Sequence, residues 1–252
     1  MKLVICEKPS VAKAVASALG VTSRVDGCFE GNGLIVSWCV GHLVSPMDAA
    51  GYDLGYKKWK YDDLPILPEP FRYVLAKGKE DAFQNLKRLM DREDVTELVN
   101  ACDAGREGEL IFRLVYEMAG CRKPFSRLWI SSMEDAAIRE GFQNLRPGAE
   151  YDPLYQSALC RQKADWLIGI NATRLFSVLY HRTLNVGRVQ TPTLAMLVDR
   201  DWKISSFKKE KYHHVRLALD GAEAVSEKIA APEEAEALRA ACTGAAVTCT
   251  TV

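Results

Sequence analysis

The chain has 252 residues, room for one large or two ordinary domains, and its 48% hydrophobic and 26% charged content is that of a globular protein rather than a disordered one. Thirty-three Lys and Arg balance thirty-three Asp and Glu, so no global charge announces a nucleic-acid partner, and no run of about eighteen apolar residues offers a membrane span. The eight cysteines, at 6, 28, 39, 102, 121, 160, 242 and 249, form no Cys-x-x-Cys pair, which argues against a structural zinc site here and for a reducing, cytoplasmic setting.

Lys2–Cys6 is a short apolar strand that runs directly into Glu7-Lys8, too brief and too charged at its end for a signal peptide. A helix is predicted from Pro9 to Leu19, opened by the proline and ended by Gly20. Gly31-Asn32-Gly33 reads as a hairpin turn feeding a strand over Leu34–Val40. From Pro46 to Pro70 the chain is rich in Gly, Pro, Asp and aromatics, a long irregular excursion of a kind that often carries function. Glu80–Met90 has helical amphipathic spacing, and Glu97–Cys102 has the composition of a buried strand. After it comes Asp103-Ala104-Gly105-Arg106-Glu107-Gly108-Glu109, which opens the helix-spaced run Leu110–Tyr116. A strand over Phe125–Ile130 and a helix over Met133–Leu145 complete an alternation that predicts an α/β fold with a mainly parallel sheet.

Pro147-Gly148 and Pro153 mark a change of character. Leu154–Tyr180 and Thr191–Lys203 are helical with no strand between them. Tyr212–Leu219 reads as a strand, Pro232–Ala241 as a helix, and Val247–Val252 as a β-prone run in need of strand partners. Between Leu154 and Lys211 there are ten Lys or Arg against four Asp or Glu, so the neutral chain is a basic segment beside an acidic remainder. A phosphate-backbone binder with a metal site has that distribution, and so has an ordinary solvated helix surface.

If the strands Lys2–Cys6 and Glu97–Cys102 are parallel neighbours, Glu7, Lys8, Asp103 and Glu107 converge on one sheet edge, where open α/β sheets bind ligands. Carboxylate oxygens suit magnesium, which keeps open positions for water or phosphate. Taken alone, the acidic run also reads as an N-cap with a first-turn acid matched to the helix dipole. Glu7-Lys8 alone also reads as a solvated strand end. The pairing of the two is what points to a site.

Together these residues resemble the TOPRIM domain, and more closely a type IA DNA topoisomerase of the topoisomerase III kind. Met1–Gly20, the Gly41-His42-Leu43 turn, Asp103–Ile111, and Arg127–Met133 with Ala137-Ile138 resemble the TOPRIM part. Arg161–Arg174 and Gly187–Leu194 resemble the helical DNA-binding region, and the second of these is the most specific to the family. The resemblance covers roughly residues 1 to 215. It implies a TOPRIM domain over 1–150, a mainly α-helical DNA-binding domain over 151–211, and over 212–252 the incomplete start of a β-rich gate domain.

The activity it implies is ATP-independent cleavage of one DNA strand, passage of another through the gap, and religation. Glu7, Asp103 and Glu107 would hold Mg2+, Glu7 doubling as general acid–base, and Lys8 would stabilise the scissile phosphate. Arg161, Asn171, Arg174, Arg188, Gln190 and Thr191 would bind single-stranded DNA, with Thr191 capping the helix that Pro192 opens. Two departures stand out. Gly105 replaces the middle acid of the family's Asp-x-Asp-x-Glu pattern, implying one ion weakly held. No segment resembles the site of the nucleophilic tyrosine, so none is expected in this chain, and Tyr151, Tyr155, Tyr180 and Tyr212 are read as packing or interface residues. Trp166 is read as core, with stacking on a base as the alternative, and His42 as a structural histidine outside the catalytic set. A helicase or recombination partner is left unspecified. The alternatives are a stand-alone TOPRIM nuclease or primase-like enzyme, disfavoured by the Arg188–Thr193 motif, and a non-catalytic DNA-binding remnant.

Overall fold

The computed structural model describes residues 1–246 and Thr248. In β1 (Lys2–Cys6), Leu3 and Ile5 enter one apolar cluster while Val4 and Cys6 enter another, as the twofold pleat of a strand requires. α1 (Pro9–Ala18) has its proline in the first turn. β2 (Ser23–Val25), β3 (Cys28–Gly31) and β4 (Leu34–Trp38) form an antiparallel meander. Asn32 and Gly33, between β3 and β4, have φ of 51° and 76°, the pair of left-handed positions that a two-residue type I′ hairpin needs.

β5 (Val44–Pro46) pairs antiparallel with β6 (Tyr73–Leu75), and the excursion between them holds α2 (Ala49–Tyr52) and two 3-10 turns, Leu54–Lys57 and Tyr61–Asp63. There follow α3 (Glu80–Met90), β7 (Glu97–Ala101), α4 (Arg106–Met118), β8 (Phe125–Arg127), α5 (Asp135–Gln143), β9 (Arg146–Pro147) and α6 (Asp152–Leu179). The main sheet has the order β2-β3-β4-β1-β7-β8-β9, with β4, β1, β7 and β8 mutually parallel. Helices cover both faces. α3, α4 and the start of α6 supply Leu86, Leu110, Phe112 and Tyr155 to one cluster, and α1 and α5 supply Val15 and Ile138 to the other. Each fully buried aliphatic side chain contributes about 1.5–3 kcal/mol, and β1, covered on both faces, carries three of them, Leu3, Val4 and Ile5, beside buried Cys6.

β8 is shorter than the expected Phe125–Ile130 strand. The carbonyl of Leu128 accepts from Nη1 of Arg127 at 2.9 Å rather than from a ladder partner, and Trp129 turns to stack on Tyr151 at 5.0 Å. α6 packs on α4 and shares its core, so Met1–Pro192 makes one compact unit and the residues from Thr193 onward another.

α7 (Gln190–Ser205), whose first three residues belong to the first unit, starts one residue before the expected Thr191. β10 (Arg216–Leu219) and β11 (Ala222–Val225) form a hairpin, and α8 spans Pro232–Cys242. The expected Tyr212–Leu219 strand is reduced to its second half, with a single bridge between His213 and Ile229 ahead of it. The expected β-run Val247–Val252 lies outside the described residues except for Thr248. Among the described residues no helix is long and apolar enough to cross a membrane, and the seven described cysteines are free thiols.

Candidate active site

β1 and β7 lie side by side in register, Cys6 beside Ala101. Both therefore leave the sheet at the same edge, one into Glu7-Lys8 and the other into Cys102-Asp103. The backbone after β4 braces this edge: Cys39 N donates to the Cys6 carbonyl at 2.8 Å, and Gly41 N donates to the Glu7 carbonyl at 3.3 Å. The Glu7 side chain is 12% exposed, with Lys8 Nζ 3.4 Å from its Oε1, while Lys8 itself is 57% exposed. Lys8 sits at the N-cap of α1 in extended conformation, so its ammonium reaches outward from a fixed backbone.

Asp103 is exposed, and its backbone is held from below. Arg127, fully buried, sends Nη2 to the Asp103 carbonyl at 2.6 Å and Nη1 to the carbonyls of Cys102 at 2.6 Å and Asn100 at 3.1 Å. Its Nε lies 3.1 Å from Glu109 Oε2. Glu109, also fully buried, takes Nε of Arg113 at 2.8 Å and Nδ2 of Asn100 at 2.9 Å. Burial pulls the Arg127 guanidinium below its ordinary value and Glu109 opposes the shift, but an arginine stays charged. Arg113 carries the network on to Gly148 O and to Asp152 at the start of α6.

The two glycines of the acidic loop differ. A Cβ on Gly108 would stand 2.2 Å from the Asp103 carbonyl oxygen, whereas one on Gly105 would meet nothing within 4 Å. Only Gly108 is required by packing.

Glu107, in the first turn of α4, faces α6. Its Oε1 accepts from Arg161 Nη1 at 3.0 Å, and its Oε2 lies 3.6 Å from His42 Nε2. Arg188 donates through Nε to Asp165 Oδ1 at 2.6 Å, and this carboxylate holds the guanidinium above its ordinary range. A cavity of about 420 Å³ opens here, lined by His42, Glu107, Arg161, Gln162 and Asp165 among others. Arg161 thus meets the acidic edge through Glu107, and Arg188 is held beside it by Asp165 of the same cavity wall.

Asn171 and Arg174 are committed inside the protein instead. Asn171 brackets Ile66, accepting from its N–H at 2.6 Å and donating to its carbonyl at 3.0 Å, which fastens the Pro46–Pro70 excursion to α6. Arg174 is 4% exposed, with its guanidinium 5.4 Å from the ring centre of Trp59. Neither side chain is presented to a strand of DNA in this conformation. Gln190 is exposed at the start of α7. Thr191 lies inside the first turn rather than at the N-cap, its Oγ1 accepting from Gly187 N at 3.0 Å. Trp166 packs edge-on against Tyr52 and Phe71, at 6.1 and 5.4 Å.

Among the described residues no three acidic, histidine or cysteine side chains are drawn together tightly enough to cage a metal. The donors that do share the edge, Glu7, Asp103 and Glu107, are all carboxylates. That chemistry fits a hydrated hard cation held by one or two carboxylates and completed by water, and not zinc or copper.

A mainly parallel sheet with carboxylates at one edge, one of them paired with an arginine of the long helix α6, defines an α/β domain. The chain belongs to the Toprim domain family, which matches residues 2–133, and it continues into a match to the DNA topoisomerase family over residues 149–252. It is 47% identical to DNA topoisomerase 3 of Bacillus subtilis over 219 residues, 87% of this chain and 30% of that protein. The Bacillus licheniformis DNA topoisomerase 3 is 46% identical over the same shares. The structure of full-length topoisomerase I from Thermotoga maritima superposes with a TM-score of 0.62 and 25% identity, covering 94% of this chain and 37% of that one. The chain therefore spans about 30% of the length of the curated relatives it matches.

Sequence reasoning gave no individual role to three residues that shape this site. Arg127 and Asp165 lie inside the quoted motifs, and Glu109 closes the acidic loop; His42, read as structural, lies 3.6 Å from Glu107. The available signals were an arginine inside an apolar strand, and Glu109 and Arg113 one turn apart on the inward face of α4.

Proposed function

We propose that these residues are the amino-terminal part of a topoisomerase III-like enzyme that binds single-stranded DNA and magnesium for ATP-independent strand cleavage, passage and religation. The nucleophilic tyrosine would come from outside these 252 residues. The observation that supports this reading is the placement of Glu7, Lys8, Asp103 and Glu107 at one sheet edge, with Arg161 on Glu107 and Arg188 held nearby by Asp165.

In this reading Lys8 offers its ammonium to a phosphoryl oxygen as negative charge grows there in the transition state. Glu7, shielded but not buried, exchanges a proton with the leaving 3′ oxygen. Magnesium, when bound by Asp103 and Glu107 with Glu7, would supply charge neutralisation at the phosphate and align the 3′ hydroxyl. Arg161, Arg188, Gln190 and Thr191 form the track for the DNA backbone. Asn171 and Arg174 hold the scaffold of that track instead of touching DNA.

The test compares two charge deletions. Arg188→Ala should weaken binding of all single-stranded oligonucleotides alike and lower the salt slope by about 0.7, the value for one phosphate on a single strand. Lys8→Ala should leave most of the affinity and, in a tyrosine-bearing full-length enzyme, slow cleavage. Greater loss of binding from Lys8→Ala than from Arg188→Ala would mean the track and the catalytic edge are exchanged.

A further inference from the structure

We infer that the Arg161–Glu107 ion pair is an exchangeable latch that couples the two ligands of this site, so that DNA and the divalent cation each tighten the binding of the other. The inference rests on the proposed function and names its regulation. Glu107 has one oxygen held by Arg161 at 3.0 Å, and the other lies 3.6 Å from His42, beyond hydrogen-bond distance. A carboxylate whose charge is offset by a guanidinium attracts a cation less, and an arginine held by that carboxylate is less available to a phosphate. The two expected binding groups therefore compete with each other's ligands in the DNA-free molecule.

Three observations make this a latch and not a strut. The pair is open to solvent, 34% exposed on Arg161 and 53% on Glu107, so it is weak and readily exchanged. The neighbouring Arg127–Glu109 pair, by contrast, is fully buried on both sides and supports the fold. Arg161 also has a second carboxylate in reach, Asp165 at 3.8 Å, so its charge keeps a counter-ion when it turns from Glu107 to a phosphate. Finally, Gln162 Oε1, on the wall of the same cavity, is buried with no hydrogen-bond partner, so the cavity is not polar-complete without a ligand. A phosphate drawing Arg161 away would release Glu107 to the cation, and reciprocity requires the cation to release Arg161 by the same factor.

The test uses Mn2+ as probe, with free Mn2+ read by electron paramagnetic resonance, on the 252-residue chain with and without a saturating oligo(dT). Wild type should bind Mn2+ about fivefold more tightly with the oligonucleotide, the low end of the usual coupling between sites. Arg161→Gln should bind it about fivefold more tightly than wild type without DNA, and show less than about twofold coupling. Arg188→Gln removes the same charge without touching Glu107 and should leave DNA-free Mn2+ affinity within about twofold of wild type. Wild-type coupling retained in Arg161→Gln, or equal tightening by Arg188→Gln, would overturn the latch.

The reciprocal arm needs no metal. In EDTA, Glu107→Gln should tighten oligo(dT) binding more than Asp103→Asn, which deletes an equal charge that Arg161 does not touch. Equal effects would also overturn the latch. Mn2+ binding unchanged by both Glu107→Gln and Asp103→Asn would instead refute the proposed site itself, and the latch with it. The exposure of the pair makes these substitutions compatible with folding, which thermal melts of each variant verify.

Discussion

Gly108→Ala sets two general rules against each other at one position. Replacing glycine by alanine inside an exposed helix ordinarily stabilises by up to about 1 kcal/mol. Here the new methyl would lie 2.2 Å from the Asp103 carbonyl oxygen and 2.8 Å from the Asp103 nitrogen. Both are backbone atoms, so neither can swing aside. The same carbonyl is pinned from the other side by Arg127 Nη2 at 2.6 Å. Relief requires α4 to move off the loop, and overpacking of this sort costs about 1–3 kcal/mol. Taking the upper part of that range less the helical gain leaves a loss of about 2 kcal/mol, or roughly 4–8 °C in Tm for a unit of this size. Thermal unfolding followed by circular dichroism measures it. Because the displaced residue is Asp103, Mn2+ binding should weaken as well. A variant that melts at or above the wild-type temperature would show that the loop yields freely and refute the reasoning.

Gly105→Asp should be silent in stability, within about 0.5 kcal/mol, because the backbone there is extended, with φ 176°, and a Cβ meets nothing within 4 Å. It should tighten a single weak magnesium site, read by calorimetric titration, and an unchanged affinity or two tight sites in the wild type would contradict the one-ion reading. Arg127→Met should cost about 3 kcal/mol, since it removes one of the two guanidinium partners of buried Glu109 and leaves the Cys102 and Asp103 carbonyls without their Arg127 donor; urea unfolding that finds less than about 1 kcal/mol would show the network to be dispensable. The 252-residue chain should form no covalent adduct with DNA and relax no supercoiled plasmid. Tyr151 and Tyr155 are buried and Tyr180 and Tyr212 are exposed, and an adduct stable to denaturing gel electrophoresis would place the nucleophile among the chain's tyrosines after all.

What the sequence alone determined was local. The β1 span Lys2–Cys6 and the α3 span Glu80–Met90 were readable to the residue, because pleat and helix each impose a period within one run of chain. The Asn32-Gly33 hairpin was readable because its backbone conformation selects those residues. Glu7, Lys8, Asp103 and Glu107 were readable as candidates because carboxylates and an ammonium at strand ends are chemically conspicuous.

Their meeting on one edge depended on a condition that no local pattern contains, that β1 and β7, about ninety-five residues apart, pair in parallel. Tertiary structure also decided which charges remain available. Arg127 looks like any strand arginine until the sheet closes over it, and Asn171 and Arg174 share a helix with Arg161 but face the Pro46–Pro70 excursion rather than the acidic edge. Whether a polar side chain serves a ligand or the scaffold depends on which partner the fold brings within about 3 Å, and that partner is usually distant in the chain.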